Sequence, residues 1–195
     1  MKKILLSLIS LFFLITYGSI SFTIVPVTQY VYVNDTVTFE CAANVTRYHL
    51  SFVTKPSVNG SVSLGSGGMV SLTLTATSEV NGTEVTCHTN NRATTESAYL
   101  YVQGPPDSVS SLTGYQLLDS CCMFISWYPP FTLPGLTVQY IISVGTDQQY
   151  LNDSITNYTY CPMNPTNKQY LFNITTTNKA GKGSTSNITV GFQST

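Results

Sequence analysis

Charge is what this sequence has least of. Only 9% of its 195 residues are Asp, Glu, Lys or Arg, against about 25% in an ordinary soluble protein. Eight basic and nine acidic residues give a formal net charge of -1, with no run of like sign. That excludes a nucleic-acid partner, which is held mainly through clustered Lys and Arg. No stretch keeps a convincing 3.6-residue apolar period, so helices are expected to be short or absent. Beyond the N-terminus no apolar run reaches the roughly 20 residues a membrane-spanning helix needs. Catalytic and metal motifs are missing as well. His49 and His88 stand alone, outside any HExxH or CxxC spacing, and no GxSxG elbow occurs. The glycine-rich Gly65-Ser66-Gly67-Gly68 lacks the Lys-Ser/Thr of a phosphate cradle. An enzyme, a cofactor and a bound metal are therefore not expected.

What is present starts with an address. Met1-Lys2-Lys3 precedes an almost unbroken apolar stretch from Ile4 to Tyr17, followed by small residues at Gly18, Ser19 and Ser21. This is the pattern of a secretory signal peptide over 1–21, with an uncleaved N-terminal anchor as the competing reading. Its removal leaves six basic against nine acidic residues, a net of -3. A secreted or extracellular protein is expected, at the cell surface if the chain is the front of a longer receptor. Secretion gives meaning to eight Asn-x-Ser/Thr sequons, at Asn34, Asn44, Asn59, Asn81, Asn152, Asn157, Asn173 and Asn187. Asn164 is followed by Pro165 and is excluded. Bulky, hydrated glycans on the surface can wet it where charge does not.

Past residue 21 the pattern is β throughout. Val, Ile, Thr and Tyr dominate short alternating runs such as Val37-Thr38-Phe39-Glu40-Cys41, and turn residues such as Asn34-Asp35 and Asn81-Gly82 separate them. Many short strands at regular spacing indicate sandwiches. Cys41 and Cys87 are the only cysteines of the first half, and each lies in a strand-like run. In an oxidising compartment they are expected to bridge two packed sheets. Gly104-Pro105-Pro106-Asp107 interrupts the pattern, because proline lacks a backbone donor and fixes φ. It marks a stiff linker between two modules.

Residues 23–103 resemble an immunoglobulin domain. Val37 to Cys41 stand where strand B of that family does, and Leu72-Thr73-Leu74 through Cys87 where strands E and F do. Phe52 takes the place of the core Trp, and Val85 that of the Tyr two residues before the second Cys. Residues 106–193 resemble a fibronectin type III domain. Met123 to Pro130, with Trp127, correspond to strand B, and Val138 to Val144, with Tyr140, to strand C. Tyr170 to Thr175 correspond to strand F, with Tyr170 as the tyrosine corner. The resemblance implies an all-β chain of two tandem sandwiches, immunoglobulin-like over 22–103 and fibronectin type III-like over 108–195, joined by a linker at 104–107.

Cys121, Cys122 and Cys161 are extra to the second family. Either of the adjacent pair can bridge to Cys161 from strand B to strand E. Counted back from inward-facing Trp127, parity turns Cys121 inward and Cys122 outward. This favours a Cys121–Cys161 bridge and leaves Cys122 unpaired or intermolecular. The family pair implies recognition or adhesion, with an extracellular or cell-surface protein as partner. A soluble decoy, a carbohydrate-binding module and a structural spacer are the alternatives. Loops at the sandwich ends are the expected contact points. Phe131 and Leu133 of one loop, near Lys179 and Lys182 of another, form the candidate patch. The bland alternative is that the apolar pair tucks over the core end while the lysines solvate their turn. In the first module the corresponding loop carries Asn90, Asn91 and Arg92. No Arg-Gly-Asp tripeptide occurs.

Overall fold

In the computed structural model the described residues are 20–44, 49–118, 120–163, 165 and 168–193. The expected signal peptide, apart from Ile20 and Ser21, lies outside them. Apart from two single turns of 3-10 helix, every regular element described is a strand. The chain is all-β, two sandwiches in tandem, immunoglobulin-like and then fibronectin type III-like.

The first sandwich contains β1 (Phe22–Ile24), β2 (Gln29–Tyr32), β3 (Thr36–Ala43), β4 (Leu50–Lys55), β5 (Ser61–Leu64), β6 (Val70–Thr75), β7 (Thr83–Thr89) and β8 (Ala98–Gln103). One sheet has the order β1-β3-β6-β5, and the facing sheet β2-β8-β7-β4, with β2 parallel to β8. The period-two pattern decides which side is core. Val37, Phe39 and Cys41 are buried while Thr36, Thr38 and Glu40 point out, as a strand with one wet face requires. Val85 and Cys87 answer from β7, with Leu72 and Leu74 from β6. Cys41 and Cys87, both fully buried, are joined across the two sheets. Phe52 packs against that bridge together with Val70 and Leu50.

The second sandwich contains β9 (Ser110–Gln116), β10 (Met123–Tyr128), β11 (Gln139–Val144), β12 (Asp147–Leu151), β13 (Asn157–Tyr160), β14 (Gln169–Asn178) and β15 (Gly181–Gly191). Its sheets have the orders β13-β10-β9 and β12-β11-β14-β15. Met123, Ile125 and Trp127 face Tyr140, Ile142, Phe172 and Ile174 in one core. Trp127 meets Tyr140 edge-on at 5.2 Å between ring centroids. Tyr170 packs among Tyr160 and Phe192. Its hydroxyl makes no hydrogen bond among the described residues, so the expected tyrosine corner is a ring contact only.

The second disulfide corrects the parity argument. Cys122, not Cys121, is bonded to Cys161, and Cys121 is exposed and free. The extended strand begins only at Met123. Before it, the Leu117 N–H donates to the Cys122 carbonyl at 2.9 Å, and Ser120 Oγ accepts the Cys122 N–H at 3.1 Å. That turn ends the alternation, so counting back from Trp127 fails at Cys121. Met123 pairs with Tyr160, which brings Cys122 opposite Cys161 one step further along, with Cα atoms 4.1 Å apart. This is close to the spacing of a directly opposed, non-hydrogen-bonded pair. The bridge therefore clamps neighbouring strands at one end of a single sheet.

Candidate functional site

The ends of the two sandwiches meet, and four polar contacts join them. Tyr32, last residue of β2, places its hydroxyl on the backbone of Thr137. It accepts the Thr137 N–H at 2.8 Å and donates to the Thr137 carbonyl at 3.0 Å. Gln103 Oε1, at the end of β8, accepts the Leu133 N–H at 2.8 Å. Asn178 Nδ2 donates to the carbonyl of linker residue Gly104 at 2.8 Å. Lys179 Nζ lies 2.6 Å from Asp35 Oδ1. That hydrogen bond from Lys179, with help from the Tyr32 N–H, holds the Asp35 carboxyl below its ordinary range. The linker itself is seated on the second domain: Pro106 is buried, and the buried Thr176 hydroxyl donates to the Asp107 carbonyl at 3.0 Å.

This junction takes up part of the expected contact patch. Lys179 is engaged by Asp35 and the Leu133 main chain by Gln103, so both loops face the first domain. Phe131 remains 78% exposed, and Lys182 is exposed. Phe131 and Leu133 line a groove of about 310 Å³. Asn81, Tyr101 and Val102 of the first domain line it as well, with the linker from Gly104 to Asp107. Asn90, Asn91 and Arg92 are exposed at the opposite end of the first domain, where Arg92 has φ 74°.

The outward face of β2-β8-β7-β4 carries a feature that the sequence reading missed. Tyr30 pairs with Tyr101 across the parallel strands, and their rings stack at 5.3 Å with an interplanar angle of 11°. Tyr99 stacks on Tyr101 at 6.1 Å. Tyr30 and Tyr99 are each 37% exposed. Beside them lie the Lys55–Glu84 ion pair at 3.8 Å and His88, whose Nε2 is 2.9 Å from Thr86 Oγ1. Tyr32 continues the row and is the member that the second domain covers. The signal was present in Tyr30-Val31-Tyr32 and Tyr99-Leu100-Tyr101, where alternation puts both tyrosines of each triplet opposite the apolar central residue.

None of the eight sequons lies on the strands of that face, although Asn81 borders it and lines a groove with Tyr101. Asn34, Asn44, Asn59 and Asn81 are exposed in the connections of the first domain. Asn152 lies just after β12, with its Oδ1 accepting from Ser154 Oγ at 2.8 Å. Asn157 is on β13, and Asn173 and Asn187 are direct cross-strand partners on β14 and β15. Asn173 is half-buried, the others exposed. Among the described residues no three His, Cys, Asp or Glu gather in a way that could hold a metal ion.

No protein-family model matches the sequence, and no curated protein is similar to it. Solved structures are similar in fold. The titin I-band fragment I67–I69 aligns with a TM-score of 0.53 at 15% identity, covering 88% of this chain and 65% of that fragment. An E-to-A variant of the same three-immunoglobulin-domain fragment gives 0.50 at 16%, with the same coverage. The FN1–FN3 domains of chicken CNTN1 give 0.41 at 13%, over 89% of this chain and 64% of theirs. The chain thus spans about two thirds of the length of these fragments, and the likeness is one of tandem β-sandwich modules.

Proposed function

We propose that this chain is an extracellular, non-enzymatic recognition or adhesion module that binds a protein partner through the tyrosine-bearing face of its first domain. The observation that carries the reading is the row of Tyr30, Tyr101 and Tyr99 on a sheet face free of sequons. Tyrosine presents a large apolar ring with a polar tip and is enriched where proteins meet. Glycans on the connections leave Tyr30 and Tyr99 open, with Asn81 bordering the row at Tyr101, and restrict access elsewhere. Two disulfides fit an oxidising compartment. Tandem sandwiches of these kinds serve recognition or support. A structural spacer is the second reading, favoured by the polar contacts that fix the junction.

The test is proximity labelling on cells with the glycosylated chain, comparing wild type with Tyr30→Ala/Tyr99→Ala. Contact residues of the anchoring kind cost about 2 kcal/mol or more each when truncated, so capture of the partner should fall at least tenfold. Equal capture by the variant would move the site elsewhere. Failure of the wild type to mark any reproducible surface protein would leave the spacer.

A further inference from the structure

We infer that the groove between the domains is the seat of an N-linked glycan carried by Asn81, whose first N-acetylglucosamine lies against Phe131. Asn81 opens the sequon Asn81-Gly82-Thr83 and also lines the groove. Its side chain is already oriented. The Val102 N–H donates to Asn81 Oδ1 at 2.8 Å, and since a backbone N–H can only donate, the atom facing it must be the amide oxygen. Nδ2, the atom that sugar transfer uses, has no hydrogen-bond partner among the described residues. Gly82 follows with φ 78°, a conformation glycine adopts without strain, and so sets the turn that presents Asn81 at the groove.

In the same groove, Phe131 leaves most of its ring in water beside half-buried Leu133. A pyranose ring has an apolar C–H face that can cover such a ring, and covering apolar area is favourable. The remaining polar lining, Gln103 and Asp107, suits a sugar's polar edge. A volume of about 310 Å³ is roughly ten times that of a liquid water, which is room for one sugar ring with the next emerging to solvent. The transfer forms a bond from Nδ2 to C1 of an oligosaccharide carried on a lipid pyrophosphate. It breaks the bond from C1 to the pyrophosphate oxygen and releases one amide proton, with no change of oxidation state. The seated sugar would touch both domains and stiffen the joint without any new protein contact.

The inference rests on the extracellular reading only for passage through the secretory pathway, and it stands or falls separately from partner binding. The full chain secreted by eukaryotic cells is treated, folded, with an amidase that removes N-glycans, and release is followed site by site by peptide mass spectrometry. Asn81 should be occupied and released at least fivefold more slowly than Asn59, which lies in an exposed connection away from the groove. Phe131→Ala should bring Asn81 to the Asn59 rate while leaving Asn59 itself unchanged, and Phe131→Trp should keep the slow release. Because Phe131 is mostly exposed, the Ala variant is expected to fold, and the unchanged Asn59 rate verifies it. An unoccupied Asn81, or a release rate indifferent to Phe131→Ala, overturns the inference whatever the partner experiment returns.

Discussion

The two sandwiches are closed by bridges of similar reach set in opposite surroundings. Cys41 and Cys87 are 46 positions apart and lie fully buried between two sheets. Cys122 and Cys161 are 39 apart and clamp neighbouring strands of one sheet, with Cys161 exposed. The cores differ in the same sense. The first is filled by Val37, Phe39, Leu72, Leu74, Val85 and Leu100, with a half-buried Phe52 on the disulfide. The second holds Trp127, Tyr140, Phe172 and Tyr170, large rings that fill the space between sheets without a covalent pin. A disulfide can thus act as a core side chain in one domain and as an edge clamp in the next.

The near-equal spacing makes this difference measurable. Loop closure in the unfolded chain gives each bridge roughly 4 kcal/mol, and the two values differ by only about 0.1 kcal/mol. Any larger gap between them reports what the sulfur atoms contribute as packing. Cys41→Ala/Cys87→Ala should lose the loop-closure stabilisation plus the cost of a cavity beside Val70 and Phe52, and so destabilise by more than 4 kcal/mol. Cys122→Ala/Cys161→Ala should lose the loop-closure part alone. Urea titration separates the domains, because the single Trp, Trp127, reports the second while far-UV dichroism reports both. Equal losses would mean that the buried bridge is no part of the first core.

A smaller contrast comes from two glycines. A Cβ built on Gly183 would sit 1.9 Å from the carbonyl oxygen of Pro106, a backbone atom of the docked linker. A Cβ on Gly60 of the first domain would meet the tip of Leu72 at 2.8 Å, a methyl that can turn away, and the Thr73 carbonyl oxygen only at 3.0 Å. Gly183→Ala should therefore cost about 1–3 kcal/mol, the usual range for overpacking, and lift the linker off β15. Gly60→Ala should cost less. Thermal denaturation of the two variants checks the order, and a larger loss at Gly60 would reverse it.

Much of the fold was legible because it is written locally. Alternation in Val37 to Cys41 and in Met123 to Trp127 fixes which side chains turn inward, and the positions of Cys41 and Cys87 in such runs fix the first bridge. Legibility ends where alternation does. Cys121 and Cys122 precede the strand, and the turn from Leu117 to Cys122 depends on a hydroxyl and a carbonyl that no pattern of apolar residues encodes. The junction was hidden for a different reason. Tyr32 meets Thr137 across 105 positions, and neither residue carries a sign of the other. Lys179, expected in a contact patch or else in a solvated turn, was hidden in the same way, since its acidic partner lies 144 positions earlier. The tyrosine row shows a milder failure: the residues were read as strand formers, which they are, and the side they face was not followed.

The smallest effect belongs to the Lys179–Asp35 pair, which tests whether charge or backbone contact holds the domains together. Lys179 is mostly exposed and Asp35 partly so, and a surface ion pair contributes at most about 1 kcal/mol. Lys179→Ala should therefore lower stability by less than that and leave the junction closed, because Tyr32–Thr137, Gln103–Leu133 and Asn178–Gly104 remain. Its clear signature is in titration. Lys179 depresses the Asp35 pKa in the folded protein below the ordinary 3.8. The pair's stabilisation is thus fully present above the ordinary value and is lost as pH falls through the depressed one. Carboxyl NMR should find Asp35 below its usual range in wild type and moved back toward it in Lys179→Ala or in high salt. An Asp35 signal indifferent to Lys179 would mean that the Tyr32 N–H alone sets it. The junction would then be held by hydrogen bonds to backbone, and its strength would be independent of ionic conditions.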